Sequence, residues 1–213
     1  MLKSDLKTHR LRREHLIVFF LSIQIGLNAQ SSLSSCYRMD FIPQIESYYN
    51  SLDSIFQTRL GDDYLFRFTV LPSFEPEYAM QIELVEKQYY LRAISFNKNM
   101  WYAKSIADIH MDECFIELET QTAEKVLLLS KHFIENRIDS ISIGPTEDSD
   151  LYLFETKENG MIACGQIWGP IPDCPLKQMC RLCTYYKDWC LTENKSKMIK
   201  SEINKLAIML NTK

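Results

Sequence analysis

The clearest rhythm in the chain is helical. Between residues 40 and 60, Phe41, Ile45, Tyr48, Tyr49, Leu52, Ile55, Phe56 and Leu60 recur at steps of three and four, which puts them on one stripe of an α-helix. Asp40 is suited to cap its start, Pro43 is tolerated in a first turn, and Gly61 follows its end. The period then drops to two. Residues 64–71 alternate bulky apolar side chains with Arg67 and Thr69, and Pro72 and Pro76 bracket a break before strands at 78–85 and 88–96, joined at Glu86 and Lys87. Asn97 and Asn99 supply turn chemistry, after which Trp101 and Tyr102 read as a short edge segment. Residues 113–119 alternate again, with Cys114, Ile116 and Leu118 on one face and Phe115, Glu117 and Glu119 on the other.

A second helix is expected over 122–138, where Val126, Leu127, Leu129, Phe133 and Ile134 make a broad apolar side. Strands at 151–156 and 161–168 flank Asn159 and Gly160, a pair that tolerates positive φ and is a strong hairpin signal. Helices at 175–191 and 195–211 close the chain. Strand and helix do not alternate regularly in this order. It predicts an α+β fold, an antiparallel sheet with helices packed mainly on one face and a C-terminal helical pair.

The second half also carries a resemblance. The helix of residues 119–138, the aromatic run Asp150, Tyr152 and Phe154, a glycine-containing turn, the Gly165, Trp168 and Pro170 segment and a terminal helix resemble uncharacterised secreted proteins of the Bacteroides group, over roughly residues 113–192. The cysteine-rich last helix departs from that pattern. The resemblance implies export and this architecture, and it carries no activity.

Export is also readable from the amino terminus. Lys3, Lys7, Arg10, Arg12 and Arg13 precede an apolar run over 16–27, about half the length a spanning helix needs, and Ala29 offers a small residue for cleavage. The expected organisation is a signal peptide at 1–29 and a single α+β domain at 30–213, with no transmembrane segment in the mature chain. A competing reading makes Leu33-Ser-Ser-Cys36 a lipobox, with Cys36 acylated, although five residues separate it from the apolar run. Removing the five cations and two acids of the leader takes the formal charge from −4 to −7. No basic footprint for nucleic acid remains.

The loaded chemistry lies in seven cysteines. Cys164, Cys174, Cys180, Cys183 and Cys190 crowd into one stretch and read as disulfide candidates in an oxidising space, with a Cys164–Cys174 staple as one pairing. Cys180, Cys183 and Cys190 share one helix face, expected to pack on the hairpin that holds Cys164. Cys114 points inward and is expected to stay unpaired. Three sharper readings rank below the staple: redox catalysis by Cys180 and Cys183, which sit inside a helix rather than at its amino terminus; a zinc held by Cys174, Cys180, Cys183 and Cys190; and a Cys114 nucleophile served by His110 or His132. No metal and no cofactor is expected.

Other candidates are carboxylates and aromatics. Glu75 and Glu77 form an aromatic-flanked pair of the kind glycosidases use, and Glu117 and Glu119 a second pair, though charges facing water explain both. A G-x-S-x-G elbow and a phosphate-cradling glycine loop are absent from the sequence. Phe74, Glu75, Glu77, Tyr78, Trp101 and Tyr102 are the candidate binding surface. The sequence thus favours an exported, non-enzymatic binding or interaction protein with a protein or glycan partner. A thiol-redox enzyme and a carbohydrate-binding or carbohydrate-active protein stand as alternatives.

Overall fold

The computed structural model describes Leu33, Cys36 and residues 43–137, 149–192 and 198–211. The leader expected at 1–29 and the Asp40 cap lie outside the described residues. The elements are α1 (Pro43–Leu60), β1 (Phe66–Leu71), β2 (Tyr78–Val85), β3 (Gln88–Phe96), β4 (Met111–Leu118), α2 (Thr120–Glu135), β5 (Leu151–Glu158), β6 (Met161–Trp168), α3 (Pro175–Thr192) and α4 (Met198–Asn211). The strands form one six-stranded sheet in the order β4-β3-β2-β1-β5-β6, with every pairing antiparallel. The α+β fold is therefore as the hydrophobic rhythm predicts.

Both tight hairpins follow from local backbone preference. Asn159 and Gly160 take φ values of 51° and 77°, the left-handed pair that matches the twist of β5 and β6. Glu86 and Lys87 adopt φ of 50° and 72° without a glycine, so β2 and β3 impose that turn through their own pairing. Gly61, at φ 78°, ends α1 by donating its N–H to the Gln57 carbonyl at 3.1 Å.

The sheet has two unlike faces. Phe66, Phe68, Met80, Ile82, Leu91 and Phe154 point one way and meet α2, α3 and α4 in the larger core. Three of the four helices lie there, so the sheet is helix-covered mainly on one side. Leu71, Ala79, Ile94, Phe96 and Leu151 point the other way and meet Leu52, Phe56 and Leu60 of α1. That second face also buries Arg67, Thr69, Gln81, Glu83 and Gln166. Arg67, Gln81 and Glu83 are tied into one hydrogen-bonded set. Arg67 donates to Gln81 Oε1 at 2.9 Å and to the Gly61 carbonyl, Gln81 Nε2 donates to the Leu60 carbonyl at 2.7 Å, and Arg92 Nε donates to Glu83 Oε1 at 2.8 Å. The ladder thus satisfies carbonyls that the end of α1 leaves without intrahelical partners.

Trp101 and Tyr102 depart from the expected edge segment. Residues Met100–Tyr102 and Ile106–Asp108 are single 3₁₀ turns. The Asn99 side chain caps the first by accepting from Trp101 N, and the buried Glu77 carboxylate accepts from Met100 N at 2.8 Å. The turn is fixed by a residue more than twenty positions away, which local propensity cannot see.

Candidate interaction surface

The loops at 72–77 and 97–102 are tied together before they present anything to solvent. Asn99 Nδ2 donates to the carbonyls of Pro72 and Glu75 at 3.0 and 2.8 Å, while its Oδ1 accepts from Trp101 N at 2.9 Å. Glu77 is 0% exposed and accepts from Tyr48 Oη at 2.7 Å as well as from Met100 N. Burial, then the adjacent Glu77 charge, push the Tyr48 phenol well above its ordinary pKa, so it remains a donor to that carboxylate. Three segments, α1 and both loops, therefore share one set of clips.

On this base stand Phe74, Trp101, Tyr102 and Ile106, exposed by 62, 47, 60 and 50%. The Phe74 and Tyr102 rings lie nearly parallel, 5° apart with centroids at 6.3 Å, and Trp101 meets Tyr48 edge to face at 5.3 Å. Ile106 continues the surface into an open groove of about 480 Å³ lined by Ser47, Asn50, Ser51 and Ser54 of α1. Large apolar side chains held this far into water by a polar scaffold form a surface able to bury itself against another molecule.

Two of the six expected surface residues do not belong to it. Tyr78 is half-buried on the opposite, three-helix face, where its hydroxyl meets Thr184 Oγ1 at 2.9 Å and Lys187 Nζ lies 4.5 Å from its ring centroid. Strand parity explains this: β2 starts at Tyr78, in step with Met80 and Ile82. Glu77 is consumed by structure, which removes the Glu75 and Glu77 acid pair, since only Glu75 is exposed. Of the second pair, Glu117 faces solvent from β4 while Glu119 has left the strand to begin α2.

The cysteines pair differently from the expectation. Cys36 is bonded to Cys164 and Cys114 to Cys190, whereas Cys174, Cys180 and Cys183 carry free thiols. Cys114 is inward-facing as its strand predicts, but the inward position is what brings it to α3 and Cys190. Cys164 faces the α1 side, because Gly165 and Ile167 alternate onto the other, whereas Cys174 packs against the three-helix core, so the two cysteines lie on opposite faces of the sheet. Accordingly, α3 packs on β2, β3 and β4 rather than on the hairpin that holds Cys164. The Cys114 nucleophile also falls: its sulfur is in a bridge, His110 pairs with Asp112 at 3.3 Å, and His132 neighbours Asn136.

Cys180 and Cys183 are both buried in α3, and burial raises both thiols far above the ordinary range. A redox motif needs the opposite shift and access to a disulfide partner. The bridge to Cys114 takes Cys190 out of the zinc arrangement of Cys174, Cys180, Cys183 and Cys190.

A cavity of about 360 Å³, which no sequence pattern announces, lies between α1 and the β1-β5-β6 side of the sheet. Tyr64, Arg67, Thr69, Leu153 and Gln166 line it, and the Cys36–Cys164 bridge forms part of its wall. Its residues come from five separate segments, and none makes a motif. No helix among the described residues is long and apolar enough to cross a membrane. No protein-family model, curated protein or solved structure matches this chain.

Proposed function

We propose that this chain is an exported, non-enzymatic interaction domain that captures a protein partner on the surface formed by Phe74, Trp101, Tyr102 and Ile106. One observation carries the reading: these side chains are exposed together while the loops beneath them are clamped by Asn99 and Glu77. A clamped apolar surface loses little conformational freedom on binding, which is the condition for aromatic anchors to dominate an interface. Export is supported by two disulfides, which persist in oxidising compartments. The leader-like amino terminus agrees with it.

The test is affinity capture on the full mature chain, followed by titration of the captured partner against wild type and Phe74→Ser/Tyr102→Ser. The double variant should weaken binding at least tenfold while leaving the unfolding midpoint nearly unchanged. Equal binding by the two proteins would remove this surface. A glycan array probed with the same pair distinguishes a sugar ligand, since ring-dependent retention on one glycan class would replace the protein partner.

A further inference from the structure

Leu33 and Cys36 are only three residues apart, yet they are anchored on opposite faces of β6, an edge strand. Leu33 is 1% exposed within the three-helix core. It lies directly over Gly165: a Cβ built there would come within 2.8 Å of Leu33 Cδ1 and 2.9 Å of Leu33 Cβ. The second distance matters more, because a Cβ atom cannot swing aside as a chain end can. Position 165 is thus a notch that only glycine provides. Cys36 is bonded to Cys164, the next residue along β6, whose side chain points to the α1 face.

We infer that Leu33 and Cys36 clasp β6 from its two faces, so that leader processing must cut before Leu33 and Cys36 must be a half-cystine rather than an acylated amino terminus. The inference rests on the export reading. Two competing chemistries meet at one sulfur. In acylation, Cys36 Sγ displaces the phosphate headgroup of a phospholipid and forms a thioether to diacylglycerol. Cleavage before Cys36 then discards Leu33. In bridge formation, the Cys36 and Cys164 thiols give up two protons and two electrons to a disulfide-bearing oxidant, which leaves as a dithiol. A sulfur in a thioether has no proton to lose and forms no thiolate, so it cannot enter that exchange. Lipidation would therefore cost the domain both anchors at once, the bridge and the side chain that fills the Gly165 notch.

The experiment expresses the full chain with its own leader in a bacterium that has lipoprotein-processing enzymes, and takes intact and peptide masses with and without reduction. The expected result is an amino terminus before Leu33, at or near residue 30, and a Cys36–Cys164 peptide pair that separates on reduction. Diacylglycerol on Cys36 would overturn the inference. Unprocessed Met1 on cytosolic material would defeat the export reading alone. In that case the same protein, refolded in a glutathione redox buffer, still tests the clasp by whether Cys36 joins Cys164. A mutant cycle supplies the second arm. Gly165→Ala should lower Tm by about 3 °C or more when Leu33 is present, and the loss should vanish in Leu33→Gly, where the methyl has room. An equal loss in both backgrounds would show that Leu33 does not occupy the notch.

Discussion

The two faces of one sheet are held by different physics. On the three-helix side, Phe66, Phe68, Met80 and Phe154 meet apolar stripes of α2, α3 and α4, and the Cys114–Cys190 bridge joins edge strand β4 to α3. On the other side, α1 is fastened near each end by hydrogen bonds, through Tyr48 and Glu77 at one and through Arg67 and Gln81 at the other. An apolar strip of Leu52 and Phe56, flanked by Tyr49 and Ile55, lies between them. The first arrangement is non-directional and tolerant of small shifts. The second fixes orientation, because a misplaced helix would strand buried polar groups. It is the directional face that carries the clamped aromatic surface, which fits a need to hold rings in place.

Removing the bridge should give the largest effect and test whether the dry face relies on it. For a separation of 76 residues, Cys114→Ser/Cys190→Ser should cost about 4.5 kcal/mol in the chain-entropy account. Urea unfolding checks this, and a loss below about 1 kcal/mol would show that apolar packing alone holds α3 in place. Glu77→Ala should cost about 1 to 3 kcal/mol by leaving Tyr48 Oη and Met100 N without their acceptor. It should also loosen the Trp101 turn, read as a red shift in tryptophan emission that Glu77→Gln largely avoids.

Alkali should act on both faces in one direction. Burial pushes Tyr64, lining the α1 side, and Tyr152, packed on the three-helix core, up to about 12. An unfolded tyrosine ionises near its ordinary value of 10, so above that pH the unfolded chain releases protons that the folded one retains. Stability should be fully present below pH 10 and fall progressively towards about pH 12, read from urea midpoints across that window. The smallest effect has the opposite sign. The Tyr186 hydroxyl is buried in the three-helix core with no hydrogen-bond partner among the described residues. Tyr186→Phe should therefore leave stability unchanged or raise it by up to about 1 kcal/mol. A clear loss in thermal unfolding would reveal a partner for that hydroxyl.

What could be read beforehand divides along similar lines. The strands, both two-residue hairpins and the four helices follow from periods of two and 3.6 with Gly61, Asn159 and Gly160 as punctuation, because burial of one face writes itself into every second or fourth residue. The inward direction of Cys114 was legible on the same grounds. Its partner was not, since pairing depends on where α3 lands, and that depends on the whole sheet order. The parity of Cys164 was present in its strand but masked, because Ile162 and Trp168 on one face are as apolar as Ala163 and Ile167 on the other. The candidate surface was half visible. Phe74, Trp101 and Tyr102 stood out as aromatic loop residues, whereas Ile106 gains its place only from the groove it lines with Ser47, Asn50 and Ser51 of α1.

The two bridges interlock along the chain. One spans 36 to 164 and the other 114 to 190, so the second begins inside the first and ends beyond it. A single hydrolysed peptide bond between Cys36 and Cys164 leaves its two sides tied by the first bridge. One between Cys164 and Cys190 leaves them tied by the second. A protease that nicks this molecule once in that interval therefore releases no fragment, and the damage would be invisible on a gel run without reductant.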